Sequence, residues 1–163
     1  MLKPAYRRIA ACPLGSLVAL TLLNGCATDL YQQRADKVKD HTASFYRELR
    51  DDRIAAAVAE NERIEGMALE MERGLLKQVS GMDANQKARE WSLIKITNQT
   101  AIENWLNLGR YLAQTKRYDR ARGAYQRVVE TYQGKGSQYA PFVERARLGL
   151  KDLDLIVKPS SGS

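Results

Sequence analysis

Cysteine, histidine and paired carboxylates are the side chains from which this chain could build a reactive centre, and their placement argues against one. The 163 residues include two cysteines, Cys12 and Cys26, and a single histidine, His41. Neither a cysteine nor a second histidine stands beside His41, so no metal cluster and no nucleophile with its base is spelled out. A histidine at the polar edge of a core is the simpler reading. Glu60, Glu62, Glu65, Glu70 and Glu72 crowd one stretch. Acid and base work would need two of them held in an apolar cleft, whereas here they read as a solvated helix face. Gln133-Gly134-Lys135-Gly136-Ser137 is rich in glycine, yet it lacks the preceding strand and the glycine spacing of a phosphate cradle and is read as a loop. The expectation is a protein that is not an enzyme and has no cofactor and no metal.

The leader accounts for both cysteines. Lys3, Arg7 and Arg8 precede an apolar run from Leu14 to Leu23, and Asn24, Gly25 and Cys26 follow it. This is the pattern of an export signal over residues 1–25. The run falls short of the about 20 residues that a permanent membrane helix needs, and no second apolar stretch follows downstream. Leu23-Asn24-Gly25-Cys26 resembles the bacterial lipobox. Ile9-Ala10-Ala11-Cys12 fits the same four-residue pattern but lies before the apolar run, and is rejected on that ground. The lipoprotein resemblance implies that Cys26 becomes the first residue and carries a diacylglycerol thioether and an amide-linked acyl chain such as palmitate. Two or three chains make a stable anchor where one alone is marginal. Ala27, in place of an aspartate that would retain the protein at the inner membrane, implies a periplasm-facing anchor in the outer membrane. The mature chain would then hold no thiol for a disulfide or a metal, and its stability must come from helix packing.

The formal net charge is +7, of which the leader carries +3, leaving +4 for the remainder. Basic and acidic residues are interleaved, as in Arg47-Glu48 and Asp51-Asp52-Arg53. That is a solvated surface and not a stripe for nucleic acid, which is therefore not an expected partner. Without its leader the chain has about the length of one domain.

Apolar residues then recur at helical spacing throughout, predicting an all-α protein. In the N-terminal region, residues 26–83, Leu30, Val38, Phe45 and Leu49 make a first stripe. A break is expected at Asp51-Asp52, with Asp52 capping a second helix from Arg53 to about Val79. Ile54, Val58, Asn61, Ile64, Ala68, Met71, Leu75 and Val79 form its seam, long enough to raise pairing between copies as an alternative to packing within one domain. Met67, Met71 and Met82 suit either an adaptable surface or core gaps. Gly81 suits a helix stop, and Asp83 with Gln86 forms a capping box for the next helix. In residues 84–157, Ala88, Trp91, Ile94, Thr97 and Ala101 predict a buried stripe. It either runs on into the next helix or pauses near Asn98-Gln99-Thr100. Pro141 opens a last helix with Phe142, Ala146, Leu148, Leu150, Leu153 and Ile156 inward, and residues 158–163 read as a disordered tail.

The most informative stretch is Asn104 to Tyr132. Trp105, Leu108 and Leu112 project from one face of a helix, with a dent at Gly109. After the short connection Thr115-Lys116-Arg117, the residues Tyr118, Ala121, Tyr125 and Val128 project from one face of another, so large side chains meet small ones across an antiparallel pair. These spacings resemble one unit of a tetratricopeptide repeat. Val128 stands where the family often has alanine, and Gln133-Gly134 where it often has proline. The resemblance implies stacked helical hairpins, a docking role, and a partner-facing row on the first helix of the unit: Glu103, Leu106, Asn107, Arg110 and Gln114. In that row Arg110 would clamp a carboxylate, supported by Asn107. The expectation is a lipid-anchored scaffold that docks a protein partner in an envelope assembly for secretion, pili or outer-membrane biogenesis. The alternative is a homo-oligomeric helical lipoprotein linking outer membrane and cell wall through the 54–79 seam.

Overall fold

The computed structural model describes residues 29–157, and the leader, Cys26 and the 158–163 tail lie outside them. The described chain is all-helical: α1 (Leu30–Arg50), α2 (Ile54–Gln78), α3 (Ala84–Gln114), α4 (Tyr118–Tyr132) and α5 (Ala140–Val157), with single 3-10 turns at Val79–Gly81 and Ser137–Tyr139. Each helix packs on its successor; α3 also touches α1 and α5. No helix among the described residues is long and apolar enough to cross a membrane.

Two of the connections are the same turn. Asp52 and Lys116 both take left-handed backbone conformations, φ 58° and 60°. In each turn the residue after it donates its N–H back into the preceding helix, Arg53 to Glu48 at 2.9 Å and Arg117 to Leu112 at 2.8 Å. Asp52 therefore does not cap α2 as its position suggested. Its carboxylate instead accepts two hydrogen bonds from the Arg117 guanidinium, both 2.7 Å, and one from the Tyr111 hydroxyl, latching one turn to the other. Arg53 precedes α2 without a side-chain cap. The box at the start of α3 is present: Asp83 accepts from the Gln86 N–H at 2.8 Å, and the Gln86 amide oxygen accepts from the Asp83 N–H at 3.1 Å.

α3 runs unbroken through Asn98-Gln99-Thr100, resolving the choice between one helix and two. Its N-terminal stripe differs from the expected one. Ala88 and Trp91 are exposed, and Leu93 is buried beside Ile94, Thr97 and Ala101. The reason is length. Trp91 lies about five turns before Gly109 and so on the same side of α3, the side that α4 covers, but α4 has 15 residues against 31 and ends before reaching it. The α2 seam is used inside the fold, with Ile54, Asn61, Ile64, Ala68, Met71 and Leu75 buried and Val58 partly covered. Met71 is core, and Met67 and Met82 pack around it. Leu30 at the start of α1 is exposed. In α5, Val143 joins Ala146 and Leu153 in the core, while Leu148 and Ile156, expected inward, point out.

The largest core cluster runs from the two latched turns, with Phe45, Leu49, Ile54 and Leu112, along α3 and α4 to Leu108, Val128 and Tyr132. A smaller cluster of Met71, Leu75, Leu93 and Ile94 holds the far end of α2 and α3. Two buried polar residues fix the register between those helices: Asn61 donates to the Ala101 carbonyl at 3.0 Å, and Asn104 donates to the Asn61 amide oxygen at 2.9 Å.

Candidate functional site

The residues of the repeat-like stretch come together in one place. Trp105, Leu108, Gly109, Leu112, Ala121, Tyr125 and Val128 are buried; Tyr118 is half-buried at the edge. A Cβ on Gly109 would come within 2.6 Å of the Tyr125 ring, and a Cβ on Gly149 of α5 within 2.7 Å of the same ring. The ring is thus wedged between two helix backbones that glycine alone lets approach. Gly149 carried no signal in the sequence, because the groove it offers exists only once α5 has turned back over α4. Burial pushes the Tyr125 phenol above its ordinary range.

Glu65 ties three helices. With a side chain only 11% exposed, it pairs with Arg127 at 2.8 Å. It also accepts from the Trp105 indole N–H at 3.0 Å and the Tyr132 hydroxyl at 3.2 Å. This is a structural carboxylate, set among the glutamates read as solvated, and it had no partner visible in sequence because its donors lie on α3 and α4. Burial first, then the Glu65 charge, raises the Tyr132 phenol well above its usual value. His41 sits at a polar edge, its Nδ1 2.7 Å from a Glu60 oxygen. That contact, together with Arg63, holds the Glu60 carboxyl below its ordinary value despite some desolvation. No group of three or more potential metal ligands gathers among the described residues.

The row expected to face a partner lies on the side of α3 between α1 and α5, and four of its five members reach the surface. Glu103 accepts two hydrogen bonds from Arg145 of α5, at 2.6 and 3.0 Å. Asn107 donates to the Tyr46 hydroxyl of α1 at 2.8 Å. Arg110 is exposed and reaches Asn107 at 3.4 Å; Gln114 is exposed. Leu106 is the exception. It is 2% exposed and belongs to the core, because α5 covers the flank of the row on which it lies, so it offers no apolar contact to a partner.

Upstream on the same side, α3 opens into a cleft of about 390 Å³ bounded by Thr42 and Tyr46 of α1, by Ile96, Gln99, Thr100 and Glu103, and by Phe142 of α5. Ile96 is 50% exposed and Tyr46 43%. Apart from Glu103, nothing in the sequence marked these residues as a surface, since the helical pattern does not say that α1 and α5 leave α3 uncovered between them. The cleft combines apolar side chains with amide, hydroxyl and carboxylate groups, so it can recognise shape and hydrogen bonds, and it presents no activated nucleophile.

Comparisons with family models, with curated proteins and with solved structures find no match to this chain.

Proposed function

We propose that this is a lipid-anchored outer-membrane lipoprotein, tethered through Cys26, whose periplasmic helical domain docks a protein partner in an envelope assembly and catalyses no reaction. The observation that carries the docking role is the surface along α3. There α1, α3 and α5 lie side by side, and the Ile96 cleft continues into Glu103, Asn107, Arg110 and Gln114. The repeated turn, the αα pairing on either side of it and the Tyr125 wedge support a tetratricopeptide-like stack. In such a stack a working surface is made by neighbouring first helices and not by one helix alone. The docking row is the expected one with Leu106 removed and Tyr46, Ile96, Gln99 and Thr100 added.

A photo-crosslinking residue placed at Ile96 in living cells tests this. The expected result is a crosslink to a different envelope protein, lost on Arg110→Glu and retained on Leu155→Glu, a change on the far side of α5. Absence of any crosslinked partner at Ile96 and at Gln99 would overturn the docking role. Metabolic labelling with a fatty acid tests the tether separately: label on the wild type and none on Cys26→Ala.

A further inference from the structure

The start of α1, the end of α2 and the start of α3 are tied into one end of the molecule. Asp29 caps α1 by accepting from the Tyr31 N–H at 3.1 Å, and its other carboxylate oxygen accepts from the Arg89 guanidinium of α3 at 2.5 Å. That guanidinium also lies 4.5 Å from the centre of the Tyr31 ring, and Arg34 of α1 pairs with Glu90 of α3 at 2.9 Å. Tyr31 and Met82 pack on the small core cluster that joins α2 to α3. The point at which the chain enters the fold is therefore clamped to α3.

Each of the three helices exposes one large apolar side chain at this end: Leu30 at 58%, Leu76 at 60% and Trp91 at 43%. Leu30 is the first residue of α1, Leu76 stands two residues before the end of α2, and Trp91 lies about 10 Å along α3. The charge around them is nearly balanced. Asp29 and Glu90 are paired with Arg89 and Arg34, the Asp83 carboxylate accepts the Gln86 N–H, and Lys77 and Lys87 bring ammonium groups on long apolar stems. Leucine and tryptophan among polar groups and lysine stems suit the layer between water and hydrocarbon, where tryptophan is enriched and lysine can reach back to water.

The chain on the other side of Asp29 selects what lies against this end. Three residues, spanning about 11 Å at full extension, separate Asp29 from Cys26. A lipid on Cys26 holds this end, and no other, beside the bilayer. Leu155, Ile156 and Val157 are also exposed, but Val157 lies with Lys116 and Arg117 at the opposite end of α3, about 45 Å away.

We propose that the end bearing Leu30, Leu76 and Trp91 rests in the headgroup layer of the bilayer, so that α3 stands outward from the membrane. The proposal rests on the lipid tether at Cys26 and adds how the tethered domain is oriented. The acyl chains supply the attachment. The three side chains fix which way the domain points. In this orientation Ile96 stands about 20 Å and Arg110 about 40 Å from the start of α3, so a partner meets the α3 row clear of the lipid.

The lipidated protein, purified from membranes and reconstituted into phospholipid vesicles, tests this. Bromine atoms near the headgroup end of the acyl chains quench a tryptophan that approaches them. The chain has two tryptophans, Trp91 and the buried Trp105. Brominated lipid is expected to lower the emission of wild type and to leave Trp91→Phe unchanged. Leu76→Glu should lose most of that quenching while still floating with the vesicles and keeping its circular dichroism spectrum. A fluorophore attached at Leu155→Cys should show no shift on reconstitution. A wild type that floats with the vesicles but is not quenched overturns the proposal and leaves the tether standing. A fluorophore shift at Leu155 overturns the outward stance, since the domain would then lie flat. Trp91 emission that moves to the blue with protein concentration in detergent alone would assign this end to a second copy and overturn the proposal too. A chain without acyl groups that fails to float refutes the tether and this orientation with it.

Discussion

At the scale of single residues, the helical glycines Gly109 and Gly149 differ in meaning from Gly123, where an added Cβ would meet nothing within 4 Å, and only the neighbours tell them apart. The Tyr125 ring is pinned from both sides by Gly109 and Gly149, so neither contact can relax by moving the ring away. Gly109→Ala and Gly149→Ala should each destabilise by about 1 to 3 kcal/mol, read as a lower urea midpoint. With Tyr125→Leu in place, each glycine substitution should cost less than it does alone, because the ring that clashes is gone. Gly123→Ala should instead stabilise by about 0.5 to 1 kcal/mol. The Gly109 dent was legible from the alternation of large and small residues across the pair. Gly149 was not, since it lies on α5, two helices beyond the α3 pattern in which the close approach was expected.

At the scale of elements, polar side chains decide which helix meets which and in what register. Glu65 is the clearest case, because its removal leaves the Trp105 indole N–H and the Tyr132 hydroxyl without an acceptor in a largely dry site. Glu65→Leu is expected to cost about 2 to 4 kcal/mol, with a shift in tryptophan emission. Glu65→Gln keeps an amide oxygen as acceptor and should cost clearly less; equal losses would show that the hydrogen bonds are not what matters. Asn61 and Asn104 act in the same way between α2 and α3. Helical periodicity placed Asn61 on the buried seam, but its partners, the Asn104 amide and the Ala101 carbonyl, come from α3 and follow from no local pattern. The Asp52 latch was misread for a related reason. An aspartate before a helix has the features of a cap, and only the arrival of Arg117 and Tyr111 from the other turn gives its carboxylate stronger partners.

For the whole molecule, the uneven core predicts uneven stability. The far end of α2 and α3 rests on the four buried residues Met71, Leu75, Leu93 and Ile94 with a few partly buried neighbours. Amide protons near these residues should therefore exchange through a partial opening, before those around Leu108 and Val128. Uniform exchange across both regions would contradict this. Acid sensitivity follows from the carboxylates. Asp29, Glu48 and Asp52 are held below their ordinary values by hydrogen bonds from Arg89, Arg53 and Arg117, and Glu60 by His41. A carboxyl whose folded pKa is depressed contributes stability above its unfolded value and loses it as pH falls through the folded one. The urea midpoint should thus be level at neutral pH and fall below about pH 4. Asp52→Asn should flatten part of that fall, because asparagine tolerates the left-handed conformation but carries no charge to lose.

What the sequence determined by itself was local and periodic: an all-helical chain, the turn at Thr115-Lys116-Arg117, the Asp83 capping box, the α2 seam and the close approach at Gly109. These follow from side-chain spacing along one helix and from the chemistry of a few turn residues. Tertiary structure alone decided how far each helix is covered. The shortness of α4 exposes Trp91, the closure of α5 buries Leu106, and the outward turn of α5 exposes Leu148 and Leu155. Coverage depends on the lengths and angles of neighbouring helices, and no helix records these in its own sequence.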